Sequence, residues 1–152
     1  MTKNVAITLY RIIAGIPINK FDKEARTALL NNFDALLAVA EAFDKKLENY
    51  NKKLYEGREA DRDEVKSLRE KARACAKSNP EQHLHYESLI NTNYASILEL
   101  EKTADAFIEK TLAEDVKVTL TKLSREAFIE GCVNADYTIT PVMLKELKPM
   151  FK

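Results

Sequence analysis

Apolar residues recur along this chain with two different periods. From Asp22 to Gly57, Leu29, Phe33, Leu36, Ala40, Phe43, Leu47, Tyr50 and Leu54 follow one another in steps of 4, 3, 4, 3, 4, 3 and 4. That is a heptad seam, and it predicts one helix of about 35 residues, roughly 50 Å long at 1.5 Å per residue. Asp22 is placed to cap it and Gly57 to end it. Burying eight such side chains is worth roughly 10–20 kcal/mol gross, so the seam requires a partner. The expected partner is a second long helix from Pro80 to about Ala113. There Tyr86, Ile90, Tyr94, Ile97, Leu100, Ala104 and Phe107 keep helical spacing with one drift of phase.

Shorter elements flank this pair. Residues 3–14 carry an apolar stripe of Val5, Leu9, Ile12 and Ile13 between a capping Thr2 and Gly15. We read them as a helix, although Val5, Ile7 and Leu9 also alternate as a strand would. Pro17 in "IPIN" biases Ile16 away from helix. The charged stretch 57–79 has a thin seam of Val65, Leu68, Ala72 and Cys75. It fits a short helix or a solvated extension.

After residue 115 the period changes to two. In "DVKVTLTKL", Val116, Val118 and Leu120 alternate with Lys117, Thr119 and Thr121. This predicts a strand over 116–123 with one buried face. Its mate is either "DYTIT" at 136–140 or the N-terminal segment. Ser124 caps a short helix "SREAFIEGCV", and Thr140 caps "PVMLKEL" with Pro141 at the first helical position. The expected fold is therefore mainly α. A long antiparallel helical hairpin spans about 20–113 of a single domain 1–152, with an N-terminal helix 3–14 and a small C-terminal α/β element over 115–152.

Composition narrows the function. The 24 Lys and Arg balance 24 Asp and Glu, which argues against the broad positive footprint that nucleic-acid binding needs. Lys45, Lys46, Lys52 and Lys53 do cluster, but Glu48 and Glu56 interrupt them. No window approaches 18 apolar residues, so no membrane span is expected. Cys75 and Cys132 match no metal or redox spacing and read as free thiols of a reducing, cytoplasmic compartment.

"SNPEQHLHYE", residues 78–87, contains both histidines of the chain. Asn79, Pro80 and Gln82 are explained by helix initiation, with a capping-box-like pair. His83 and His85 are two apart and diverge on a helix. There is no Glu-x-x-His, and too few Cys or His for structural zinc. Ser88, Ser124 and Cys132 have no catalytic signature around them, and Gly131 is isolated, so no phosphate loop exists. Tyr50, Tyr86 and Tyr94 fall on seams and read as packing residues. No catalytic, cofactor-binding or metal residue is assigned, and no cofactor is expected.

One resemblance can be drawn. "IPINKFDKEARTALLNNFDALL", a second long helix, "EDVKVTLTKLSREAF" and the terminal "ITPVMLKELKPMF" follow one another in an order that resembles small helical proteins encoded in the structural-gene regions of tailed bacteriophages and prophages. The charged insert 57–79 departs from that pattern. The resemblance implies a non-enzymatic part or helper of tail or virion assembly. The residues themselves suggest an interaction protein, and a homo-oligomer, most simply a dimer. Leu30, Leu37, Val39, Leu89, Leu98 and Ile108 lie off the seams, and the strand leaves an open edge. A small nucleic-acid-binding regulator, or a metal protein built on the histidines, is the alternative.

Overall fold

The computed structural model describes residues 1–152, and the chain is mainly helical. Seven α-helices form: α1 Lys3–Ala14, α2 Lys23–Leu54, α3 Glu59–Cys75, α4 Pro80–Asn93, α5 Ala95–Ala113, α6 Arg125–Asn134 and α7 Pro141–Glu146. No helix is long and apolar enough to cross a membrane. The chain divides into two compact units, one of Met1–Lys45 with Thr111–Lys152, the other of Lys46–Lys110.

The helix starts follow the caps that the sequence supplies. Thr2, Asp22, Asn79, Ser124 and Thr140 each accept a backbone N–H of the first turn with a side-chain oxygen. At Asn79 the capping box is incomplete. The Asn79 N–H is taken by the Cys75 carbonyl at 2.8 Å, so the Gln82 amide meets the Asn79 side chain instead. Helix α2 runs 32 residues, slightly shorter than the seam predicts. Gly57 follows it with φ +74°, a conformation costly for any side-chain-bearing residue.

The first unit has its core where α1, the first part of α2, α6 and the C-terminal segment bury apolar side chains. Leu9, Leu29, Leu36, Leu123, Phe128, Leu147 and Met150 are all essentially inaccessible. Gly131 on α6 lies against Phe21, and a Cβ there would overlap the Phe21 ring. In the sequence Gly131 is isolated and belongs to no phosphate loop. Its use is close packing.

The strand expected at 116–123 does not form as a regular ladder, nor does one at 136–140. The side-chain alternation is nevertheless real: Val116, Val118 and Leu120 are half-buried, and Lys117, Thr119 and Thr121 are exposed. The backbone is held at three points instead. An antiparallel bridge joins Thr2 to Asp115, with Val116 N–H donating to Met1 O at 2.8 Å. The Asn32 side chain holds Thr121. A parallel bridge joins Leu123 to Phe151. The mate of this segment is thus in part the N-terminal residues, one of the two candidates.

In the second unit, the charged stretch 57–79 is an ordered helix, α3, which buries Val65, Leu68 and Ala72 and packs along α4. The single helix expected from Pro80 to Ala113 is broken at Tyr94, whose φ of −125° leaves helical space. The break falls beside Asn91, Thr92 and Asn93, weak helix formers whose side chains compete for backbone hydrogen bonds. It also falls where the apolar pattern slips phase. Tyr55, Val65, Leu68, Ile90 and Ile97 form this unit's core. Tyr50 stacks on Phe107 with centroids 3.6 Å apart and planes 1° from parallel.

Candidate functional site

A cleft of about 920 Å³ opens in the first unit between the start of α6 and the C-terminal residues. Two local features build it. Ser124 stops the extended segment and caps α6, with its Oγ 3.2 Å from Ala127 N. Thr140 and Pro141 then start α7, and the chain turns through Leu147 and Met150, both fully buried. The Leu123–Phe151 bridge pins the last residues beside Ser124: Leu123 N–H donates to Met150 O at 3.0 Å and Lys152 N–H to Leu123 O at 3.1 Å. Phe151 is fixed from below by Phe128, ring centroids 5.5 Å apart.

The chemistry of the cleft is cationic with an apolar floor. Arg125, Lys145, Lys148 and Lys152 line it, against Glu126 as the single acidic side chain, and Pro141, Leu144 and Phe151 supply the apolar surface. Arg125, Lys145 and Lys148 have no carboxylate within ion-pair distance. Lys152 reaches only Glu24, at 3.4 Å between well-exposed side chains, a contact of little strength. Glu126 is occupied by Ser124, whose hydroxyl donates to it at 2.8 Å. The backbone N–H of Glu126 itself and then the Ser124 hydroxyl hold its carboxyl below the ordinary glutamate range. Ser124 is thus committed as a cap, with no histidine in the cleft to activate it. The arrangement can pair with carboxylates or other anions and pack against an apolar side chain.

The residues singled out in the sequence separate. His83 is half-buried, and its Nδ1 lies 3.0 Å from Ala72 O, one of the last carbonyls of α3. It is a structural link between α4 and α3. His85 is exposed, its ring tilted against that of the neighbouring Tyr86 with centroids 5.9 Å apart. Reading both as one solvated helix start missed this difference, because Ala72 is eleven residues away. No group of three His, Cys, Asp or Glu side chains comes together in a way that holds a metal. Cys75 and Cys132 are free, and burial pushes the Cys132 thiol up to about 11. Of the lysine cluster, Lys46 lies over the Phe107 ring at 5.5 Å. Of the off-seam apolar residues, Val39 packs on the first core and Leu89 and Leu98 on the second, while Leu30 stays exposed.

The cleft itself was not foreseen. Its cations come from Arg125 and from 145, 148 and 152, too scattered to read as a basic run. The only available signal was three lysines within the last eight residues. Set against family models, curated proteins and solved structures, the chain matches none of them.

Proposed function

We propose that this chain is a non-enzymatic interaction protein that receives an acidic, partly apolar segment of a protein partner in the C-terminal cleft. The observation that carries the reading is the set of Arg125, Lys145 and Lys148, unpaired over the apolar floor of Leu144 and Phe151. Glutamates or aspartates of the partner would pair with the rim, and one leucine-sized side chain would cover the floor. Nucleic acid is the weaker reading. The chain has no net positive charge, and an apolar floor offers nothing to a phosphate backbone.

The test is titration of the full chain with a short peptide of alternating glutamate and leucine, and separately with a short DNA duplex. Peptide binding that weakens with salt and is lost in Lys145→Glu with Lys148→Glu supports the proposal. Binding of duplex alone would transfer it to the nucleic-acid reading, and binding of neither would sink it.

Two further features belong to this proposal. The Tyr50–Phe107 stack favours a hairpin in which the end of α2 runs beside α5, as the heptad seam requires. Residues 117–120 have no hydrogen-bond partner for their backbone groups, an edge that favours self-association through a second copy. Light scattering at micromolar concentration decides the latter: a constant mass near 17.3 kDa would exclude it. The setting proposed is tail or virion assembly in a phage or prophage, within the bacterial cell, and it rests on the resemblance of element order alone. Flanking genes for capsid or tail proteins would support it, and a metabolic operon would not.

A further inference from the structure

Helix α4, Pro80–Asn93 in the second unit, carries Glu81 and Glu87 and no lysine or arginine, whereas every other α-helix of the chain carries at least one. Its inner face is committed. Ile90 is buried, Tyr86 and Leu89 pack on the same core, and His83 reaches the Ala72 carbonyl of α3. The outer face is Glu81, Leu84 and Glu87, all three exposed. Residues three apart are neighbours on a helix surface, so the two carboxylates flank the leucine. Neither carboxylate is in an ion pair. Leu84 is 66% exposed, against 46% for Leu30, the next most open leucine. A lone exposed leucine is ordinary. One held between two unpaired carboxylates is the chemical counterpart of the C-terminal cleft.

We infer that α4 of a second copy of this chain docks in that cleft, with Leu84 on Leu144 and Phe151 and with Glu81 and Glu87 paired to Arg125, Lys145 and Lys148. The inference rests on the proposed reading of the cleft and names its partner. Charge selects α4. The cleft sets four cations against Glu126, and α4 brings two carboxylates and no like charge. The other exposed apolar side chains of the helices fit less well. Leu30 has Arg26 four residues before it and Val142 has Lys145 three residues after it, so each would bring a cation to a cationic rim. Val133 has one carboxylate within a helical turn, Glu130. Size agrees as well. Residues 81–87 form a cylinder about 10 Å wide and about 10 Å long, a scale that a cleft of about 920 Å³ admits. Helix α4 is already folded against α3, so docking orders few side chains. The cleft and α4 are different surfaces, so the contact is head to tail. Each copy offers one of each, and assemblies extend or close into a ring.

The experiment is light scattering by the full chain from about 10 µM to about 1 mM in low salt, the range of a small interface. The average mass should rise above 17.3 kDa with concentration and return towards it at about 0.5 M salt. Leu84→Gln, Glu81→Lys with Glu87→Lys, and Lys145→Glu with Lys148→Glu all change exposed side chains, and each should hold the mass at 17.3 kDa. An equimolar mixture of the two charge-reversed chains should associate again, because one keeps the native cleft and the other the native α4. Should either charge-reversed chain fail to fold, Leu84→Gln still decides the matter. Three results would overturn the inference. The first is a constant 17.3 kDa at every concentration. The second is association that Leu84→Gln and both charge reversals leave unchanged, as pairing through the edge at 117–120 would give. The third is charge-reversed chains that stay monomeric when mixed. A monomeric chain that still binds the glutamate–leucine peptide leaves the proposed function standing and overturns this inference alone, so the two failures are distinguishable.

Discussion

Asn32 is bonded at both ends of its side-chain amide to the backbone of Thr121: Nδ2 donates to Thr121 O at 2.9 Å, and Oδ1 accepts from Thr121 N at 2.7 Å. A side chain on α2 thus plays the part of a neighbouring strand for one residue of the extended segment. Asn32 is completely buried, so the pair cannot be replaced by water without rearrangement. Asn32→Ala should cost about 1–3 kcal/mol, because it removes two part-buried hydrogen bonds to the Thr121 backbone. Urea unfolding measures this. A loss below about 0.5 kcal/mol would mean that the segment is held by its apolar face alone.

The contact of Gly131 with Phe21 gives a second test. Gly131→Ala should destabilise by about 1–3 kcal/mol, as overpacking does in a closed core. A helix interior normally favours alanine over glycine, so the sign is opposite to the propensity expectation. Phe21→Leu in the same chain should recover part of the loss. Additive effects in this double-mutant cycle would show that the two residues do not share the strain.

The two histidines should behave differently. His83→Ala removes the hydrogen bond to Ala72 O at the end of α3 and should cost about 0.5–1.5 kcal/mol. His85→Ala should change stability by less than about 0.5 kcal/mol. Elemental analysis of the purified protein should find no stoichiometric zinc, iron or manganese. A bound metal lost on His83→Ala would reassign the histidine as a ligand.

Cys132 makes alkaline stability testable. Its thiol is pushed up to about 11 by burial, above the ordinary value of 9.0, so the folded protein holds this proton more tightly than the unfolded chain does. The resulting stabilisation is complete below the unfolded value of 9.0 and is lost as pH rises towards about 11. Stability of the native protein should therefore fall more steeply than that of Cys132→Ala across this window. Labelling with a maleimide at pH 8 should modify the less buried Cys75 first and Cys132 only on opening. Parallel pH profiles and equal labelling rates would contradict the assignment.

What the sequence determined by itself was local. The start of α1 at Thr2, of α6 at Ser124 and of α7 at Thr140 follows from side chains that reach backbone groups within three residues. The buried positions Leu29, Leu36, Ala40 and Phe43 follow from a repeat that any helix must place on one side. Periodicity also carried the alternation at 116–121, but not its hydrogen bonding, since the same alternation serves a ladder or a solitary extended chain. Only the tertiary structure brought Asn32 to Thr121, 89 positions away, and His83 to Ala72. The break at Tyr94 was legible only as a slip of phase, because weak helix propensity sets where a helix can yield and packing decides whether it does. The cleft of Arg125, Lys145 and Lys148 lay out of reach for the same reason. It gathers charges from separate segments, and the spacing of charges along a chain says nothing of which ones folding leaves unpaired in one concavity.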